Sequence, residues 1–356
     1  MRWTSRHTLF ALQILISTTF VYLLLRRTDV AAIAAHVASA NFALLALSLV
    51  TKLAGMLLMA LRLERVSRSS ARLDFSRAFR AQSIAFVGNN LLPLRLGEAL
   101  KIGFMTRSGS ASATACIGFA ALERILDSVF LVLFIAAGLL LFPRVVPGSS
   151  ALALFCAIAV SGLVVLFLAA RFPDRLARLV AAVSRPLGER MATRLVEHAA
   201  QFARGVSALA SLRVFATLVA LTAGYWISSA LSVYIWLHAC GIEVPWYAAI
   251  VVLVFVSLAT VIPAAPGFVG TYHYFAVLAL GLFDVESAAA TSFSIVGHAV
   301  AFVPFTLLLS PLVARDILAL LGAGLARPPR AADRGANDGP DADHAGATAD
   351  ARVPLI

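Results

Sequence analysis

Charge is scarce in this chain. Asp, Glu, Lys and Arg make up 13% of its 356 residues, against about 25% in a soluble domain. Apolar residues take the space, at 61%, and mean hydropathy is +0.91. These values exclude a soluble globular protein and, for the chain as a whole, disorder. Cysteine is nearly absent. Cys116 and Cys156 lie inside apolar runs, Cys240 ends one, and no CxxC spacing occurs. An odd count without that spacing indicates neither a disulfide framework nor a metal site. The three read as small apolar core residues. Nucleotide and hydrolase signatures are missing as well: there is no Walker loop, no dinucleotide fingerprint on a strand, no HExxH and no GxSxG. The polar segments are too short for a nucleotide-binding domain, so no cofactor and no metal is expected. Acidic residues are the scarcer sign, 18 against 29 basic, for a net charge of +11. In a membrane protein such an excess points to cytoplasmic loops and anionic lipid headgroups, and not to nucleic acid.

What the chain has in plenty is long apolar runs. A helix needs about 20 residues to cross the hydrocarbon core. Six runs qualify: 8–25, 42–61, 112–142, 150–170, 214–238 and 288–310. The first lies between Arg2, Arg6 and the pair Arg26-Arg27 and has no small-residue cleavage site. It reads as a retained helix, not a signal peptide. Two further apolar regions, 81–106 and 247–283, are interrupted. Gly88-Asn89-Asn90 and Pro93 break the first; Pro263, Pro266, Gly267 and Gly270 break the second. The expected architecture is an all-α integral membrane domain over 1–320, with about six full spans and two broken re-entrant hairpins. Residues 327–356 are Ala, Asp, Gly, Pro and Arg without periodicity, which predicts a disordered tail.

Arginine orients the spans. The stretch from Arg62 to Arg80 holds six Arg against Glu64 and Asp74, and 171–213 holds eight against Asp174, Glu189 and Glu197. Both are expected on the cytoplasmic side, with both termini. The opposite loops are poor in base, Arg26 and Arg27 excepted. Within 171–213, Phe172, Leu176, Leu179 and Val183, then Met191, Leu195, Phe202 and Val206, recur at helical spacing. They form either amphipathic helices on the inner membrane surface or a plain cytoplasmic helical hairpin.

Charge inside a span costs about 2.5–3.5 kcal/mol on insertion scales, so each case asks for a reason. Glu123, Arg124 and Asp127 sit within 112–142, with Glu123 eleven residues in, roughly 16 Å deep at 1.5 Å per residue. Arg124 reaches Asp127 at i,i+3, so that pair is expected, and Glu123 needs another partner. Lys52 lies midway along 42–61 and asks for a carboxylate, with Glu123 the expected one. The group forms either a buried ion-pair network or a substrate or proton pathway. In the run from Gly88 to Glu98, Pro93 ends a helix and biases Leu92 to extended backbone. A helix restarting near Arg95 aims its positive end and a guanidinium at an anion such as a phosphate headgroup; Glu98 and Lys101 follow at i+3 spacing. The alternative is an interfacial turn with a surface ion pair. The second break, from Pro263 to His273, is expected to enter from the opposite face to the first. Such a pair is the arrangement of inverted halves meeting at a midplane site; a Pro-kinked helix pair is the alternative. His298, midway along 288–310, reads either as a packing residue or as part of that site.

The run NNLLPLRLGEALK, with ERILD some 25 residues later and then PAAPGFVGTYHYF, resembles the lysylphosphatidylglycerol synthase transmembrane-region family over roughly 10–320. Asn89, Asn90, Pro93, Arg95, Gly97, Glu98, Glu123, Arg124 and Asp127 carry the match. In full-length synthases of that family this membrane half is implicated in lipid translocation, and a cytosolic domain makes the aminoacyl lipid. The resemblance therefore implies a stand-alone, flippase-like membrane domain of the bacterial inner membrane, without aminoacyl transferase activity. Many relatives have an acidic residue shortly after the Pro/Gly break; this chain has Tyr272 and His273, so no coupling step is taken over from the family. The expected function is movement or binding of an anionic or polyprenyl- or hopanoid-type lipid, not enzymatic, with Asn89, Asn90, Arg95, Glu98, Lys101, Glu123, Arg124, Asp127, Lys52, His273 and His298 as the candidate binding residues. The alternative is a membrane-embedded enzyme, or an accessory scaffold for a lipid-modifying enzyme partner.

Overall fold

The computed structural model describes residues 3–26, 29–68, 72–108, 111–141, 149–262 and 264–325. The tail 327–356, Pro263 and the loop around Arg144 lie outside the described residues. All regular structure among them is helical, as the periodicity and composition require.

Each of the six apolar runs forms a helix: α1 (Trp3–Leu25), then, after a short α2 (Val30–Ala38), α3 (Phe42–Ser67). After the hairpin helices α4 (Phe75–Leu91) and α5 (Leu96–Ser108) come α6 (Ala113–Leu141) and α7 (Ser149–Arg171). The basic stretch forms α8 (Pro173–Ser184) and α9 (Glu189–Val206). Then follow α10 (Leu212–Ala239), the second hairpin α11 (Ala248–Ala259) and α12 (Thr271–Gly281), and α13 (Ser287–Leu325). By length and apolarity alone α3, α10 and α13 are the clearest membrane-crossing helices among the described residues. The sequence gives no signal for α2. Asp29 caps it, accepting from Ala31 N–H, and it packs against α13.

Helix α3 runs antiparallel to α10. Ser48 Oγ accepts from Trp236 Nε1 at 2.7 Å, Thr51 meets Ser232 at 2.7 Å, and Arg62 donates to Thr222 at 3.2 Å. This contact fixes the faces from which the two hairpins enter. α4 follows the C-terminal end of α3, and α11 follows the C-terminal end of α10, so they come from opposite sides. The order span, hairpin, span over α3–α6 repeats upside down over α10–α13. That is an inverted topology without a visible sequence repeat.

The hairpin helices are short, with 17, 13, 12 and 11 residues. At 1.5 Å per residue none reaches the roughly 30 Å of hydrocarbon. In the first, Leu92 before Pro93 is extended (φ −107°, ψ 147°), as the proline ring demands. A 3-10 turn, Pro93–Arg95, follows, with Leu94 and Arg95 in the left-handed region at φ 60° and 54°. The return of the chain depends on Gly97: a Cβ there would lie 2.2 Å from Ala85 O and 2.6 Å from Asn89 N. In the second hairpin, Gly270 (φ 90°) lies against α1, where a Cβ would meet Ser17 O at 2.5 Å. Ser17 Oγ accepts from Ala265 N–H at 2.8 Å, so α1 satisfies backbone that the break sets free. The two breaks touch: the Arg95 guanidinium lies 4.9 Å from the Phe268 ring centroid.

Helices α8 and α9 pair, and α9 docks on α6 through small residues. A Cβ on Gly205 would come within 2.3 Å of Ala115 O, and Ala203 and Val206 are buried. Leu179, Val183 and Met191 stay uncovered. The stretch is thus half helical hairpin against the bundle and half open amphipathic face.

Candidate functional site

Three cavities adjoin where the hairpins meet, of about 340, 200 and 260 Å³. Arg95 and Asn89 line all three. Glu98 and Arg124 line the first and third, Asp127 the first, and Lys52 the third. Phe268 of the second break and Tyr225 of α10 complete the walls. Leu92, Leu94 and Arg95 of the first break and Ala265, Pro266 and Phe268 of the second line the second cavity, the setting in which irregular backbone inside a membrane is tolerated.

Beside the cavities runs a chain of alternating charge on α3, α5 and α6. Arg124 pairs with Glu98. Glu98 meets Lys101 Nζ at 3.0 Å, and Lys101 meets Glu123 at 3.0 Å. Glu123 lies 3.6 Å from Arg62 Nε, and Arg62 holds Asp127 with two bonds of 2.6 and 3.2 Å. Gln82 donates to Glu123 at 2.8 Å. The inner members are sealed: Arg62 and Lys101 are 1% exposed and Glu123 2%, whereas Arg124 is 57% exposed, facing the cavity. Low dielectric makes the pairs of the sealed inner members strong and each partner there costly to lose.

Two expected pairings are thereby corrected. Asp127 belongs to Arg62, not Arg124. Helical spacing allowed the i,i+3 pair, but the Arg124 side chain turns to Glu98 on α5. Glu123 belongs to Lys101 and Arg62, not Lys52. Lys52 reaches the third cavity and forms no ion pair among the described residues, and neither does Arg95. Arg62 and Gln82 went unnoticed in the sequence. The apolar run ends at Leu61, so Arg62 reads as part of the basic loop. The usable signal was that Leu63 and Val66, both fully buried, continue the helical stripe past it.

The remaining candidates brace the breaks. Asn90 Nδ2 donates to Thr306 Oγ1 of α13 at 2.9 Å. His298 Nε2 lies 2.7 Å from Gly267 O; a carbonyl only accepts, so Nε2 carries the proton. His273 Nδ1 accepts from Gly270 N–H at 3.2 Å. The two imidazoles lie 4.7 Å apart, off the cavity walls and behind Tyr272. Pro266 and Gly267 form the turn that places Phe268 beside Arg95.

The family model described as lysylphosphatidylglycerol synthase TM region matches residues 10–308. The chain belongs to that family. Comparisons with curated proteins and with solved structures found no match.

Proposed function

From that membership, which places the chain among membrane proteins of lipid-related function, we propose that it is a flippase-like transporter. It takes an anionic lipid headgroup into the cavities between the two hairpins and passes it across the membrane. One observation carries this reading: Arg95. Its guanidinium has no carboxylate partner among the described residues, lines all three cavities and projects from backbone held at positive φ. A charge kept unpaired in a membrane interior, on backbone that costs energy to hold, is worth its cost where a counter-ion arrives with the substrate. Arginine offers a planar fork that matches phosphate oxygens. Opposed hairpins supply the alternating access, each break facing one side of the membrane. In this reading the α8–α9 face is cytoplasmic, the membrane is the bacterial inner membrane, and the chain performs no covalent chemistry.

The test compares lipid copurified with the wild type and with Arg95→Ala, by mass spectrometry, beside lipid movement in reconstituted vesicles. Arg95→Ala should fold, lose its bound anionic lipid and move none. Arg95→Lys should keep the fold and lose most of the movement, since an ammonium does not reproduce the fork. Equal anionic lipid in wild type and Arg95→Ala sinks the proposal. A scaffold for a lipid-modifying enzyme would show Arg95→Lys silent and Arg95→Ala defective only in assembly.

A further inference from the structure

The cavity charges do not balance, and the remainder is specific. Arg62, Lys101 and Arg124 stand against Glu98, Glu123 and Asp127, three cations to three carboxylates, each within an ion pair. Glu98 and Asp127 are the carboxylates on the walls of the three cavities, and both are taken. Glu98, the acid that acts on Arg95, is held by Arg124 and Lys101. Two cations are left over, Arg95 and Lys52. They come from different elements, the first break and the middle of α3, and line one and the same cavity of about 260 Å³.

We propose that Lys52 and Arg95 form a two-cation site that selects a headgroup with two negative charges, a phosphomonoester or a diphosphate, over a phosphodiester with one. The inference rests on the reading of the cavity as a lipid-headgroup site and adds the charge the headgroup must bring. A phosphomonoester carries about −1.5 to −2 at pH 7, its second pKa being about 6; a phosphodiester carries one charge. With a diester bound, one of the two cations stays uncompensated in a low-dielectric cavity, where an unpaired charge is costly. With a monoester both are matched, Arg95 by its fork and Lys52 as a point charge. Lys101, the other lysine near the site, is sealed at 1% exposure between Glu98 and Glu123 and takes no part.

The experiment uses the purified full chain in phosphatidylcholine nanodiscs at about pH 7, where a phosphomonoester already carries about −1.5 to −2. Binding is measured for dioleoyl phosphatidic acid, dioleoyl phosphatidylglycerol, dioleoylglycerol and inorganic phosphate. Wild type should bind phosphatidic acid about tenfold or more tighter than phosphatidylglycerol. Lys52→Met should bring phosphatidic acid down to the phosphatidylglycerol level, and Lys52→Arg should keep the preference. Without added anionic lipid, Lys52→Met should melt no lower than wild type, because it removes a charge that has no partner; Lys52→Gln serves the same comparison if the Met variant fails to fold. Equal binding of the two anionic lipids by wild type overturns the two-cation inference and leaves the anionic-lipid reading standing. Anionic lipids bound no better than dioleoylglycerol overturn that reading as well. Inorganic phosphate bound as tightly as phosphatidic acid overturns the lipid source of the dianion.

Discussion

Single side chains in the charge chain differ in what their removal leaves behind. Asp127→Asn strips Arg62 of its two-bond partner and leaves a guanidinium at 1% exposure with Thr222 at 3.2 Å and, among the described residues, Glu123 at 3.6 Å as its remaining carboxylate. Glu123→Gln leaves Lys101 and Arg62 each with one carboxylate, in a group that then carries excess positive charge. Breaking a buried pair costs about 3–5 kcal/mol, so both variants should melt well below wild type in detergent. Glu98, 28% exposed at the cavity edge, should cost less when changed to Gln. Arg62→Met with Asp127→Leu removes both charges together, and should recover most of what either single change loses. A wild-type melting point for Asp127→Asn would show that Arg62 is compensated by something other than Asp127. Sequence spacing could place Glu123, Arg124 and Asp127 in a span and could say that each needs a partner. It could not say which, because partner choice depends on which helices α6 touches, and α3 and α5 lie tens of residues away.

The hairpins make the opposite case, since their breaks are written in local chemistry. Pro93 after Asn89-Asn90, and Pro266-Gly267 before Gly270, end their helices by local chemistry. What stayed hidden was the packing that closes them. Gly97 stands among the break residues in the sequence, but nothing there says that a Cβ on it would stand 2.2 Å from Ala85 O. Gly97→Ala must therefore push α5 off α4, carrying Lys101 and Glu98 away from Glu123 and Arg124. Overpacking a tight contact costs about 1–3 kcal/mol, and more against rigid backbone. Gly281→Ala, where a Cβ meets nothing within 4 Å, should be neutral or slightly stabilising by helix propensity. A difference of several degrees in detergent melting temperature between the two is expected. Equal stability would mean that the hairpin has slack at Gly97. His298 at mid-span reads either as a packing residue or as part of the site, and His273 follows the break; their imidazoles meet Gly267 O and Gly270 N–H. A backbone carbonyl left unpaired by a turn cannot be seen in a sequence.

Across the whole molecule, the antiparallel contact of α3 with α10 sets the path of everything else. It sends the α4–α5 hairpin in from the face that carries α8 and α9, and the α11–α12 hairpin in from the face of α2. α1 runs alongside α12, with Ser17 near Gly270 and Phe20 against Tyr274, so its N-terminal end lies at the α8–α9 face with the C-terminal end of α13. Connectivity fixes which ends share a face, and the orientation proposed above rests on where the arginines lie. The exposed residues of α8, α9 and the turn between them include Arg175, Arg178, Arg185, Arg190 and Arg194, beside the uncovered Leu179, Val183 and Met191. Basic and apolar side chains together on one surface suit the anionic inner leaflet. The check uses single cysteines in a variant lacking Cys116, Cys156 and Cys240. Ser76, exposed in the first turn of α4, and Glu243, exposed between α10 and α11, stand on opposite faces whatever the orientation. An impermeant thiol reagent applied to intact cells should label Glu243→Cys and spare Ser76→Cys, and membrane disruption should expose the second. Labelling of Ser76→Cys alone would turn the molecule over, placing α8 and α9 outside and reversing the side from which each hairpin enters. Labelling of both from outside would contradict the antiparallel packing of α3 and α10 itself.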